Sequence, residues 1–322
     1  MEAATQEQAE WFQQNFNALV TNVEQVLLGK RYAIELAFTA LLSEGHLLLE
    51  DVPGTGKTSL ARAMGESIEG TSSRIQFTPD MLPGDVTGVT VYNQNERKFE
   101  FHNGPIFANI VLADEVNRAS PKTQSALLEV MEEGQVTVDG VTRPVGDPFF
   151  VVATENPVEQ AGTYRLPEAQ LDRFIMKSAV GYPDHAATVR ILEGSAVTRR
   201  QVKAVVSPQT IIDMAAVAKY VYVNPMVLDY IARIVEATRN APQVRLGSSV
   251  RGAIALTKVV KTWAVAHGRN FVVPDDVKAL AEVVLAHRLI VEPEAEFDGV
   301  TANAIVGQIL LDIVPPQSGA DA

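Results

Sequence analysis

The sequence predicts an α/β fold: a domain built on a parallel sheet, followed by a small all-helical domain. Three observations lead there. Residues 51–58 read DVPGTGKT, between an apolar run and a helical stretch. Apolar, strand-like segments alternate with helical ones up to about residue 183. From 184 to 315 the pattern becomes almost wholly helical, with Ala, Val, Ile and Leu at three- and four-residue spacing.

Taken in order, residues 8–44 read as two helices broken around Leu28-Gly29-Lys30. Strands are expected at 46–50, 74–78, 110–114 and 149–154, apolar on both faces as buried parallel strands are. A helix spans 120–133: Ser120 can cap it, Pro121 takes its first position and Gly134 closes it. Asp139-Gly140 between two β-branched runs signals a hairpin near 135–145. A second hairpin is expected near 88–101, with Val89 and Val91 facing Phe99 and Phe101 across Asn93-Gln94-Asn95. After Gly181-Tyr182-Pro183 the texture changes, which divides the chain into residues 1–183, a helical domain at 184–315 and a flexible tail at 316–322.

The glycine-rich stretch has the setting that phosphate binding needs. Gly54 and Gly56 let the backbone bend and approach an anion, and the N-terminus of the next helix presents its N–H groups. The cradle so read is Pro53, Gly54, Thr55, Gly56, Lys57, Thr58 and Ser59, with Lys57 reaching the β- and γ-phosphates and Thr58 on Mg²⁺. The first glycine of the GxxxxGK[ST] pattern is Asp51 here. The second chemical feature is the run Ile110-Val111-Leu112-Ala113-Asp114-Glu115. An apolar strand ending in acids is a weak signal alone. One strand–helix–strand stretch after a phosphate loop, it reads as Asp114 for the metal and Glu115 for the attacking water.

Composition bounds the rest. With 47% hydrophobic and 20% charged residues the chain is globular. Its net charge of −12 gives no general footprint for nucleic acid. Absence of cysteine excludes disulfides and thiolate metal sites, and the five histidines show no metal spacing. The polar, acidic start MEAATQEQAEWFQQNF lacks the pattern of a signal peptide, and no run approaches a membrane span, so a cytoplasmic protein is expected.

Several longer stretches resemble the MoxR family of AAA+ ATPases: LLLEDVPGTGKTSLARA (47–63), FTPDMLPGDVTG (77–88), GPIFANIVLADEVNRASPKTQSALLEVMEEGQVTVDG (104–140), FFVVATENPVEQAGTYRLPEAQLDRF (149–174) and GSSVRGAIAL (247–256). The resemblance implies a P-loop AAA+ αβα domain with a helical lid, ATP and Mg²⁺ as ligands, and assembly as a hexameric ring. It also implies chaperone-like work on a protein client, often with a von Willebrand factor A domain partner and often in metal-cofactor insertion. Asp51 fits the family.

Further site residues follow from the resemblance by position. Asn156 matches the sensor-1 residue, though Asn-Pro also makes ordinary turns. Arg173 matches the arginine finger; its plain alternative is a surface arginine paired with Glu168 or Asp172. Arg251 matches sensor 2, near the start of a helix that Ser248 or Ser249 would cap. Val26, Leu28 and Gly29 lie where the family's adenine pocket begins. Thr78 is a candidate restraint on Glu115, and Arg118 a basic group near the acidic strand end. Arg97, Lys98 and Arg143 on the hairpins could meet a client or simply be solvated. The expected function is ATP hydrolysis coupled to remodelling of a protein client. A nucleic-acid-stimulated motor and an ATP-sensing assembly protein without turnover are the alternatives.

Overall fold

The computed structural model describes residues 3–52, 54–156, 163–193 and 202–316. Pro53 and the last six tail residues therefore lie outside the described residues. In chain order the first part comprises α1 (Gln6–Glu24), α2 (Arg31–Leu42), β1 (Leu47–Glu50), α3 (Lys57–Ser67), β2 (Ser72–Gln76), α4 (Pro83–Thr87), β3 (Gly88–Asn93), β4 (Lys98–Asn103), β5 (Ile110–Asp114), α5 (Pro121–Glu133), β6 (Gln135–Val138), β7 (Val141–Pro144), β8 (Phe150–Glu155), α6 (Glu168–Leu171) and β9 (Met176–Ser178). The rest is α7 (His185–Leu192), α8 (Pro208–Lys219), α9 (Pro225–Asn240), β10 (Val244–Leu246), α10 (Val250–Ala266), α11 (Pro274–Leu285), β11 (Ile290–Val291), α12 (Pro293–Phe297) and α13 (Ala302–Asp312).

The central sheet is parallel, in the order β2-β5-β8-β1-β9. Alternation along the three inner strands, β5, β8 and β1, serves two cores. Leu47, Leu49, Ile110, Leu112, Phe150 and Val152 face one, and Leu48, Val111, Ala113, Val151 and Ala153 face the other. Strands buried on both faces read as continuous apolar runs, which is why they were legible. From β1 the chain crosses to β2 at the far edge and returns through β5 and β8; from β8 it crosses to β9 on the opposite side of β1. The crevice beside β1 is the switch point where α/β sheets bind ligands.

Helix α5 has the expected ends: Ser120 Oγ accepts from the Thr123 N–H, and Gly134 closes the helix at φ 64°. Asp139 and Gly140 both take positive φ, 53° and 76°, so the β6–β7 hairpin has the two-residue turn that its sequence signals. The other hairpin pairs differently from expectation. Its turn occupies residues 94–97, with Arg97 at φ 51°, and Asn93 Oδ1 accepts from the Asn95 and Glu96 N–H groups. That places Val89 opposite His102, Val91 opposite Glu100, and Phe99 opposite Tyr92. A register change of one residue moves a side chain to the other face, so Phe99 and Phe101 share the face of Tyr92 and Thr90.

Three short strands escaped the sequence reading. β9 extends the sheet beside β1, and β10 and β11 form a two-stranded antiparallel ribbon among the lid helices. The N-terminal helices reach into the same apolar core as the C-terminal helices: Phe12, Phe16 and Leu19 of α1 join Met214 of α8 and Val259 and Trp263 of α10. Among the described residues no helix is long and apolar enough to cross a membrane.

Candidate active site

The C-terminal ends of β1, β5 and β8 lie side by side and carry Glu50-Asp51, Asp114-Glu115 and Glu155-Asn156. The loop after β1 turns through Gly54 at φ 85° and Gly56 at φ 99°, a region closed to most side chains, and α3 starts at Lys57. Lys57 Nζ donates to the carbonyls of Asp51 (2.6 Å) and Glu155 (3.3 Å), which centres it between β1 and β8. Thr58 and Ser59 are exposed in the first helical turn. Asp51 is buried. Its carboxylate accepts from the Val52 N–H (2.8 Å) and the Gly181 N–H (2.6 Å), tying the loop to the segment that leaves β9. A glycine at position 51 could not make that tie.

The residues expected at the adenine pocket border the same crevice. An added Cβ on Gly56 would lie 2.8 Å from Leu27 Cδ1, and one on Gly29 would lie 2.8 Å from Ala187 Cβ on α7. It is thus Leu27, between the expected Val26 and Leu28, that touches the phosphate loop. Val26 packs against the core instead. Lys30 Nζ donates to the Tyr182 carbonyl and closes this wall.

Asp114 is 7% exposed. Its Oδ1 accepts from Thr154 Oγ1 (2.7 Å), and its Oδ2 pairs with Arg74 Nη2 (2.7 Å). The same Thr154 hydroxyl accepts the Glu115 N–H (2.9 Å), holding Glu115 at φ 57°, a left-handed conformation uncommon outside glycine. Glu115 Oε2 accepts from Gln76 Nε2 (2.9 Å) and from Arg118 Nη1 (3.0 Å). Gln76 therefore makes the contact expected of Thr78, whose hydroxyl bonds Asp80 instead. Arg118, the basic group expected near the acidic strand end, is an ion-pair partner of Glu115. The donor set suits a hard cation: an oxygen-only group of Thr58 and Asp114 beside a phosphate loop. Thr58 and Asp114 are the residues that would hold such an ion, and the Thr154 and Arg74 contacts fix the Asp114 carboxylate for it.

Among the described residues of the site, Glu155 is the acid whose proton affinity is strongly shifted. Burial pushes it up to about 7, opposed by Lys177 and Arg165 and reinforced by Glu50. Asn156 is buried at the end of β8, and its carbonyl accepts from Asn117 Nδ2 (3.4 Å).

Arg173 and Arg251 belong to a different cluster. Arg173 Nη1 donates to the Leu128 carbonyl (2.6 Å) and pairs with Glu132 Oε2 (2.7 Å), both on α5, rather than with Glu168 or Asp172. Arg251, in the first turn of α10 behind the Ser249 cap, reaches Glu132 Oε1 (3.5 Å) and Asp172 Oδ2 (3.7 Å). Asp172 Oδ1 in turn accepts from the buried Arg288 Nε (2.8 Å). Among the described residues no ion pair or hydrogen bond links either arginine to Lys57, Asp114 or Glu115. The strand ends thus gather Lys57, Asp114, Glu115 and Asn156, and leave Arg173 and Arg251 together elsewhere. Sequence reasoning passed over Leu27, Arg74, Gln76, Thr154 and Glu132. Their partners lie tens of positions away, and only strand register or helix docking reveals them.

Residues 46–176 match the ATPase family associated with various cellular activities (AAA), and residues 236–309 match the AAA lid domain. YeaC of Bacillus subtilis, an uncharacterized protein, is 49% identical over 94% of this chain and 95% of its own length. Chaperone MoxR1 of Mycobacterium tuberculosis is 38% identical over 94% of this chain and 82% of its own. A crystal structure of a presumed ATPase from Cytophaga hutchinsonii superposes with a TM-score of 0.89 at 37% identity, covering 97% of this chain and 98% of that one. With the parallel sheet, the phosphate loop and the acidic strand end, these likenesses establish that the chain belongs to the MoxR family of AAA+ ATPases.

Proposed function

We propose that this protein hydrolyses ATP with Mg²⁺ and uses the cycle to remodel or mature a protein client, working as a ring with sites between subunits. The observation that carries the reading is the meeting of Lys57, at the start of α3, with Asp114 and Glu115 at the end of β5, joined through the Glu155 carbonyl and the Thr154 hydroxyl of β8. Lys57 would release its two carbonyls to hold the phosphates. Thr58 and Asp114 would hold Mg²⁺, which when bound neutralises charge on the phosphate oxygens. Glu115 would orient and deprotonate the attacking water, and Asn156 would hydrogen-bond that water or the γ-phosphate. Arg173 and Arg251, which among the described residues have no ion pair or hydrogen bond to their own chain's Lys57, Asp114 or Glu115, would serve the neighbour's site. Residues 1–183 would form the nucleotide-binding unit and 184–315 the lid. The name of the mycobacterial relative supports chaperone work; metal-cofactor insertion with a von Willebrand factor A partner is the form that the family resemblance suggests.

Two variants at high protein concentration test the chemistry. Lys57→Ala is expected to fold, by circular dichroism, and to lose most ATP affinity in a nucleotide titration. Glu115→Gln is expected to bind Mg·ATP at least as well as the parent while phosphate release falls by roughly 10²–10⁴. Unchanged affinity in the first, or parental turnover in the second, would remove that residue from its role.

A further inference from the structure

Glu132 sits where three separate elements converge. It lies in the last turn of α5; Arg173 follows α6; Arg251 opens α10. One carboxylate oxygen takes Arg173 Nη1 at 2.7 Å and the other faces Arg251 Nη2 at 3.5 Å. Two guanidiniums repel, and a single carboxylate between them offsets that repulsion and keeps them side by side. The Arg173 contact is directional: Glu132 and the Leu128 carbonyl, at 2.6 Å, both engage Nη1. Among the described residues, no hydrogen bond engages Nε or Nη2. That edge of the guanidinium fork is the one able to take a phosphate in bidentate fashion. The support continues inward. Asp172 faces Arg251 Nη1 at 3.7 Å, and Asp172 is fixed by Arg288, which also donates to the Phe174 carbonyl (2.8 Å). The Glu132 side chain is 41% exposed, so its place is not dictated by core packing.

We propose that Glu132 is a positioning residue, holding Arg173 and Arg251 as a pair so that both meet one phosphate of the neighbouring subunit's nucleotide. This rests on the trans reading of the two arginines given above. Glu132 itself touches no substrate; it fixes where the arginines stand before a neighbour arrives. Misplacement of a charge-stabilising group by about an ångström costs up to roughly 10²-fold in rate.

The test uses full-length subunits and mixing. Glu132→Ala alone is expected to lower kcat by roughly 10–100-fold with the KM for ATP little changed, since its own phosphate loop is intact. Glu132→Gln, which keeps one acceptor, should lose less. A Lys57→Ala subunit binds no ATP but offers a complete Arg173–Glu132 face. Mixed with it, Glu132→Ala subunits should regain activity beyond the sum of the two alone. Mixed with Arg173→Ala subunits they should regain none, because both defects lie on the same face. A merely structural defect would stay with its own subunit and would not be rescued. Native mass spectrometry verifies mixed rings, and Lys57→Ala with Arg173→Ala provides the reference pair. Recovery in the reference pair without recovery in the Glu132 pair overturns the role of Glu132. Parental turnover in Glu132→Ala overturns it as well. No recovery in either pair overturns the trans reading and the proposal with it. If Glu132→Ala does not fold, Glu132→Gln enters the same mixtures under the same criteria.

Discussion

His46 and Glu155 stand at opposite ends of the central strands and move stability in opposite directions as pH changes. His46 Nε2–H donates to the Met131 carbonyl (3.0 Å) and Nδ1 accepts the Val151 N–H (3.0 Å), so the ring is held neutral. Burial lowers its pKa to about 4 from 6.5. In the unfolded chain it binds a proton first, so its contribution is full above pH 6.5 and is lost as pH falls toward 4, by ~3 kcal/mol. Glu155 has the reverse sign. With its pKa raised to about 7 from 4.5, the folded state holds the proton longer, and stability falls as pH rises through that window. Urea midpoints of the nucleotide-free protein at pH 4.5, 5.5 and 7.5 are expected to show a shallower acid slope for His46→Gln and a shallower decline toward neutral pH for Glu155→Gln. Slopes equal to the parent's would refute the assignment. At this scale the sequence was legible where chemistry is contiguous. Lys57 and Asp114-Glu115 sit in unbroken strings whose flanking strand and helix follow from the pattern. Gln76 and Thr154 were not legible, because their tie to Glu115 depends on the register of β2, β5 and β8.

Among elements, the junction between the β9 segment and the lid carries a buried ion pair. The Arg288 side chain, 4% exposed, follows α11 and donates to Asp172 Oδ1 and to the Phe174 carbonyl of the segment entering β9. Burial lowers its proton affinity, and Asp172 restores part of it. Removing one partner of a buried pair leaves an uncompensated charge. Asp172→Ala is therefore expected to destabilise by ~3 kcal/mol, read as a lower urea midpoint with an unchanged slope. Removing both partners, as in Asp172→Ala with Arg288→Met, should cost less than Asp172→Ala alone. A double variant weaker than that single would show that the pair is not the organising contact. The hairpins show why element detail outran the sequence. Asp139-Gly140 encodes its turn in two residues. The β3–β4 turn spans four residues, and nothing in Asn93-Gln94-Asn95 alone fixes where pairing resumes. β9, β10 and β11, at two or three residues each, are too short to carry a period. Arg143 was ambiguous as a hairpin charge; it lies over the Phe101 ring at 3.9 Å, so the two hairpins touch.

At the scale of the molecule, a folded chain has its phosphate loop and acidic strand end in one place and its two arginines in another. Helices α1 and α2 share a core with the lid, so nucleotide bound beside Leu27 and Gly29 would touch both the sheet and the helical unit. The separation of the arginines makes a quantitative demand. If Arg173 completes a neighbour's site, a lone subunit lacks a group worth roughly 10³–10⁵ in rate. Specific activity should then rise by orders of magnitude as protein concentration crosses the range in which rings assemble, and level off above it. Arg173→Ala should assemble over the same range, by light scattering, yet stay at the dilute value throughout. Adding ATP should move both assembly curves together, because both proteins keep Lys57. If the parent's turnover per subunit stays flat while scattering shows assembly, the site is complete within one chain. The ring would then contribute nothing to the chemistry.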